Sequence, residues 1–130
     1  MRILLVLVGM FALFGCASES PTYPNIEGTW AGTEGGAGNE GITMQLVLHQ
    51  SDASVSGTFS EVYKGKAING GIASGTMQRD GSVFFALKPG NSGVCTMGVD
   101  VKLTAGALVG SFYGYQCVGT IVGTLHLTRE

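Results

Sequence analysis

Few side chains in this 130-residue chain are of the types that carry out catalysis. The two histidines, His49 and His126, fall on the polar faces of predicted strands, where a lone histidine is typical of a solvated surface group. Three carboxylates, Glu34, Glu40 and Glu61, fall in predicted loops at one end of the fold, where we expect them to be solubilising charges. Because no serine-hydrolase elbow, zinc-peptidase motif or phosphate-binding loop occurs, the sequence predicts no catalytic residues, no metal site, no cofactor and no enzyme activity.

The cysteines are the other candidates for chemistry. Apart from Cys16, the chain contains only Cys95 and Cys117, and two cysteines in an exported chain favour a disulfide. They lie at the start of the predicted sixth strand and just beyond the seventh. The bond would close a loop of about twenty residues and contribute roughly 3 kcal/mol in the chain-entropy model. Neither cysteine has the histidine partner that a nucleophile needs.

Composition favours an all-β domain with many turns. The chain has 22 glycines and only 12% charged residues, and alternating apolar residues supply enough surface for a core. The formal net charge is −2 and no basic stripe is present. We therefore expect no nucleic-acid partner.

A five-residue pattern organises the predicted strands: apolar, any residue, Gly, Ser or Thr, apolar. Its five copies are 26–30, 55–59, 73–77, 108–112 and 121–125. Because residues two apart share a face of a strand, each copy places a glycine between two apolar residues on one face. This pattern is typical of a sheet that bends where the side chain is missing.

The chain divides into eight predicted strands without a helix. Their ranges are 26–33, 42–50, 53–60, 68–78, 82–88, 94–104, 107–115 and 120–129. The odd-numbered connections are mostly long and the even-numbered ones are tight. In an up-and-down meander these two sets lie at opposite ends, so the sequence predicts an eight-stranded antiparallel β-barrel with one open and one closed end.

Strand alternation also predicts which residues face the interior. Each proposed hairpin register pairs an inward glycine with a larger inward residue, as a tight interior requires. These pairs are Val101 with Gly110, Leu46 with Gly57 and Phe85 with Gly75. The predicted inward set is wholly apolar: Ile26, Trp30, Met44, Leu46, Leu48, Phe59, Met77, Phe85, Val99, Val101, Phe112 and Leu125.

The pattern of residues 1–15 predicts an export signal. Arg2 is followed by an apolar run of about a dozen residues, too short to span a bilayer as a helix. The ending Leu13-Phe14-Gly15-Cys16 resembles the bacterial lipoprotein signal. That resemblance implies cleavage before Cys16, fatty acylation (palmitate) of Cys16, and a membrane partner reached through the lipid anchor. Ala17 after the cysteine implies an outer-membrane location in the cell envelope.

The predicted domains follow from this signal: 1–15 leader, 16–25 lipidated cysteine with a polar tether, and 26–130 barrel. Gly28-Thr29-Trp30 resembles the first strand of calycin barrels, the group that holds lipocalins and avidins. In lipocalins a basic residue of the last strand packs across that tryptophan, and the resemblance implies this role for Arg129. The residues that bind ligand in avidins have no counterparts here, so biotin binding is not implied.

We expect a binding or structural function for the barrel. A small apolar ligand would require a cavity at the open end, and a packed interior would favour a purely structural role. The alternative is an inhibitor-like module for an envelope protein such as a protease or lysozyme, using loops 34–41, 61–67, 89–93 and 115–118. The candidate ligand or partner contacts are Tyr113, Tyr115, Trp30, Phe85 and Phe112.

Overall fold

Alternating apolar and polar residues form eight strands in the computed structural model, which describes residues 15, 22–91, 95–115 and 122–130. The strands are β1 (Gly28–Gly35), β2 (Ile42–Ser51), β3 (Ser54–Tyr63), β4 (Lys66–Met77), β5 (Ser82–Pro89), β6 (Thr96–Thr104), β7 (Ala107–Tyr115) and β8 (Val122–Arg129). Each strand pairs antiparallel with the next, and β1 pairs with β8, which closes the barrel. The predicted fold class, an all-β up-and-down barrel, is confirmed.

Among the residues that the structure describes, no helix has the length and apolar character that crossing a membrane would require.

The pairing of inward glycines with larger residues holds across the hairpins. Gly110 lies opposite Val101 and Gly75 lies opposite Phe85, as predicted. In the β2–β3 hairpin the register is shifted by two residues, and Gly57 lies opposite Leu48 rather than Leu46. A shift of two residues leaves every side chain on its predicted face, because the faces of a strand alternate with a period of two.

The connection between β3 and β4 corrects a predicted loop. The sequence predicts a longer connection over residues 61–67, but β3 and β4 are joined by a two-residue turn. Lys64 and Gly65 both have positive φ, 49° and 74°, as a type I′ hairpin turn requires. This turn matches the twist of the flanking strands, so both strands extend almost to its tip.

The barrel interior is densely filled by apolar side chains. All twelve residues of the predicted inward set are buried and belong to the hydrophobic core. Burial of apolar surface of this kind contributes about 25 cal/mol per Å². The prediction that the inward set is wholly apolar is wrong, because Glu34 and Glu61 are each only 6% exposed. Both lie on strands that extend beyond their predicted ends with unchanged alternation.

The closed end is held by the chain segment that enters β1. The Trp30 indole Nε1 donates a hydrogen bond of 2.8 Å to the carbonyl oxygen of Ile26. The Arg129 guanidinium lies 4.7 Å from the centroid of the Trp30 ring and donates a hydrogen bond to the carbonyl oxygen of Asn25. The Gln50 side-chain oxygen accepts a hydrogen bond from the Ile26 amide. These contacts fix the entry of the chain into β1 across the closed end.

Candidate functional site

Two carboxyl groups enter the barrel from neighbouring parts of its wall. On β1, Trp30 and Glu34 are buried on the same face, and on β3 the buried Phe59 precedes the buried Glu61 by two residues. Glu61 lies opposite Asn69 of β4. The strand alternation that builds the core therefore ends, at the open end, in two inward carboxyl groups.

Glu61 is held in place by the adjacent strand. The Asn69 side-chain Nδ2 donates a hydrogen bond of 2.7 Å to Glu61 Oε2. The Asn69 Oδ1 accepts a hydrogen bond of 2.9 Å from the Gly70 amide, which fixes the orientation of the side-chain amide. The register of the β3–β4 pair shifts between Glu61 and Val62. Such bulges re-aim side chains beside functional sites, and here the bulge lies at the carboxyl pair.

Glu34 is the less well-satisfied member of the pair. Its Oε1 atom is buried and has no hydrogen-bond partner. Burial, a hydrogen bond with Glu61 and electrostatic repulsion from Glu61 raise the pKa of Glu34 from 4.5 to about 8. Glu34 therefore keeps its proton near neutral pH, which removes the repulsion between the two groups.

A pocket of about 250 Å³ lies directly over this pair. Its wall combines the two carboxyl groups with apolar side chains. The described lining residues are Glu34, Asn39, Ile42, Glu61, Ile68, Asn69, Cys95, Met97 and Phe112. The pocket is therefore mostly apolar, with a small number of polar groups at one side, as is common for small-molecule sites.

The rim of the pocket is ordered by the loop between β1 and β2. The Asn39 side-chain Nδ2 donates to the carbonyl oxygens of Gly35 and Val122, at 3.3 and 3.2 Å. The Ile42 amide donates to the carbonyl oxygen of Asn39. Asn39 thus ties the loop to both strands at the open end of the β1–β8 pair and places the Asn39 and Ile42 side chains at the pocket.

The pair can supply negative charge, hydrogen-bond acceptors and one exchangeable proton. Among the described residues, no group of three or more His, Cys, Asp or Glu side chains could hold a metal ion. The unpartnered Oε1 of Glu34 suits recognition of a donor group on a bound molecule.

The aromatic contact candidates fall in three different places. Phe112 lines the open-end pocket. Trp30 and Phe85 are buried in the core, with exposures of 1% and 0%. Tyr113 lies on the outer face, where its ring covers Gly98 so closely that a Cβ at Gly98 would lie 2.7 Å from the Tyr113 Cζ. Tyr115 is the last residue of β7.

The cysteine predictions extend beyond the described residues. Cys95 lines the pocket and immediately precedes β6, whose first residue, Thr96, pairs with Tyr115. Cys117 follows Tyr115 by two residues in the sequence but lies outside the described residues, as does Cys16. The disulfide between Cys95 and Cys117 and the lipidation of Cys16 therefore stay predictions.

The charged candidates divide into surface groups and site groups. His49, His126 and Glu40 are exposed, as predicted. The prediction that Glu34 and Glu61 are solubilising charges is wrong, because both are buried. Strand alternation could have predicted the burial of both glutamates, because each lies two residues beyond an inward-facing position of its own strand.

Comparison with protein-family models, with curated proteins and with solved structures found no match to this chain.

Proposed function

We propose that this chain is a binding module anchored in the bacterial cell envelope, and that its barrel holds one small, largely apolar molecule at the open end. The observation that carries the proposal is the pocket of about 250 Å³. It lies at the predicted open end, where two buried carboxyl groups meet the apolar core. The size of the pocket suits a molecule of about one ring.

In this proposal, lipid attachment at Cys16 localises the protein to a membrane of the cell envelope. The leader resembles a bacterial lipoprotein signal, and the segment that precedes β1 runs along the closed end, where Tyr23 packs against the core. A chain anchored through this segment would present the pocket at the end away from its tether.

The binding role is tested by adding toluene and benzyl alcohol to the isotope-labelled full chain, purified in detergent micelles. We expect chemical-shift changes at the amides of Ile42, Met97 and Phe112. The closed-end turn residues 105–106, between β6 and β7, should remain unchanged and serve as the internal reference. An absence of shifts at the open end with both probes would overturn the proposed function.

A pair of matched variants locates the site. Ile42→Trp places an indole in the pocket and should weaken binding about tenfold, which corresponds to about 1.4 kcal/mol. Ile72→Trp makes the same change at a side chain that is 62% exposed, and should leave binding unchanged. Equal effects of the two variants would place binding outside the pocket.

The β3–β4 hairpin favours a second candidate, the protein-binding or inhibitor-like role. Tyr63 and Ile68 are 39% and 48% exposed, and the Lys64 ammonium lies 5.2 Å from the centroid of the Tyr63 ring. Exposed tyrosine beside a cation is typical of protein-contact surfaces. Loss of partner capture from an envelope extract on Tyr63→Ser, with Ile72→Ser as the control, would support this role.

A further inference from the structure

We propose that the molecule held in the open-end pocket carries a protonated amine, which binds to the carboxyl groups of Glu34 and Glu61. This inference rests on the proposed binding function and specifies the chemical class of the ligand. It follows from an unpartnered acceptor atom, from the charge of the pocket wall and from the size of the pocket.

The first observation is the buried Oε1 atom of Glu34. The side chain is 6% exposed and lines the pocket, yet this oxygen accepts no hydrogen bond. Buried acceptors in proteins are almost always paired. A donor group on a molecule in the pocket would pair this oxygen, and an ammonium has three N–H groups with which to do so.

The second observation is the absence of a compensating cation in the described part of the pocket wall. Glu34 on β1 and Glu61 on β3 face the pocket, Cys95 contributes a sulfur atom, and none of the described lining residues is Lys, Arg or His. A hydroxyl group could satisfy the unpartnered oxygen, but it would leave the negative charge unbalanced. An anion would be repelled, so the wall selects a cation.

The remaining lining argues for an organic cation over a metal ion. Ile42, Ile68, Met97 and Phe112 supply apolar surface around the carboxyl pair. A calcium ion takes six to eight oxygen ligands, whereas the Asn69 amide presents its nitrogen, not its oxygen, to Glu61. A short amine that carries one ring or a branched alkyl group matches both the carboxyl pair and the apolar part of the pocket wall.

Binding of such a cation is coupled to the release of a proton. Without a bound cation, burial and the neighbouring Glu61 keep a proton on Glu34 near neutral pH. An ammonium bound to the two carboxyl groups takes the place of that proton. The proton then leaves to the buffer, and the affinity rises with pH as long as the amine stays protonated.

The test compares benzylamine, benzyl alcohol and benzoate, which share one ring and differ in charge. Binding to the full chain in micelles at pH 7 is followed by chemical shifts and by calorimetry in two buffers of different ionisation enthalpy. We expect benzylamine to bind about tenfold more tightly than benzyl alcohol, as charge-assisted hydrogen bonds predict. We also expect weak or no binding of benzoate and the release of a proton with benzylamine only.

Glu34→Gln should remove the preference for benzylamine and the proton release, while benzyl alcohol still binds. Glu40→Gln changes an exposed glutamate of the neighbouring loop and should preserve both. Glu61→Gln is the second variant if Glu34→Gln does not fold, and it should act in the same direction. Equal affinities of benzylamine and benzyl alcohol would overturn this inference and leave the binding function standing, whereas no binding of any probe would overturn both.

Discussion

Glu34 is a carboxyl group inside an apolar barrel, and no cation among the described pocket residues balances it. Its position is maintained by the strand that carries it, because β1 continues to Gly35 and pairs there with β8. The barrel thus pays a free-energy penalty for keeping an acidic group at this place. Such penalties are typical of functional sites, where a group is held ready for a ligand.

The raised pKa of Glu34 predicts a pH-dependent stability. Its pKa is about 8 in the folded chain against 4.5 for the ordinary group, so the folded chain holds more protons than the unfolded chain between these values. The free energy of unfolding therefore falls as pH rises through this window, by an amount on the order of 4 kcal/mol. Glu34→Gln should flatten this dependence and raise the stability at pH 9, as measured by urea unfolding from pH 5 to pH 9.

Glu40→Gln is the control for this measurement, since it removes a carboxylate that is exposed on the β1–β2 loop. It should keep the slope of the unmodified chain. If Glu34→Gln and Glu40→Gln gave the same slope, the pH dependence would have to come from another group, and the tight proton binding assigned to Glu34 would be wrong.

At the scale of the strands, alternation predicted the elements but not their ends. The sequence ended the first strand at residue 33 and the third at residue 60, one residue before each carboxyl group. Each glutamate is followed in sequence by glycine, within one residue of Glu34 and within four of Glu61, and glycine is typical of turns. That preference outweighed the parity of Trp30 and Phe59. Tertiary pairing decided otherwise: β1 pairs with β8 up to Gly35, and β3 continues to its type I′ turn.

The carboxyl pair itself could not be predicted from either strand alone. Glu34 and Glu61 are 27 positions apart in sequence, and their contact depends on the closure of the barrel and on the bulge after Glu61. The Lys64–Gly65 turn was also missed, because lysine rarely adopts positive φ. In contrast, the inward apolar set and the inward glycines followed directly from a period of two.

The inward glycines predict a specific packing cost. A Cβ added at Gly57 would overlap the carbonyl oxygen of Val47 in the adjacent strand and lie 3.2 Å from the Leu48 Cα. Because both neighbours are backbone atoms in the middle of a sheet, they cannot move without distorting the β2–β3 pairing. Gly57→Ala should lower the free energy of unfolding by about 2–4 kcal/mol, as measured by urea denaturation.

Gly90→Ala is the matched control, because its added Cβ would meet nothing closer than the Gly70 carbonyl oxygen at 3.7 Å. We expect a change within about 0.5 kcal/mol, as at other sites without a packing conflict. Equal stability of the two alanine variants would show that close strand approach is not the reason for glycine at position 57.

At the scale of the whole molecule, the two ends of the barrel have different roles. Residues 22–27 run along the closed end, where Gln50 donates hydrogen bonds to the carbonyl oxygens of Pro24 and Asp52. The carboxyl pair and its pocket lie at the other end. Residues 22–27 therefore lie at the end that carries the Trp30–Arg129 contact, and a membrane anchor attached at this end would leave the pocket accessible.

The predicted lipidation of Cys16 can be tested independently of the barrel structure. If Cys16 is the lipidated residue, cells that express the chain should incorporate labelled palmitate into it, and Cys16→Ser should abolish the label because serine lacks the thiol to which the lipid is attached. Cys95→Ser removes a different cysteine and should keep the full label.

After separation of membranes from soluble material, the native chain and Cys95→Ser should fractionate with membranes, since acyl chains supply about 0.8 kcal/mol per buried CH₂. Label retained in Cys16→Ser would show that another residue is modified, and an unlabelled native chain would reduce residues 1–15 to an ordinary export signal.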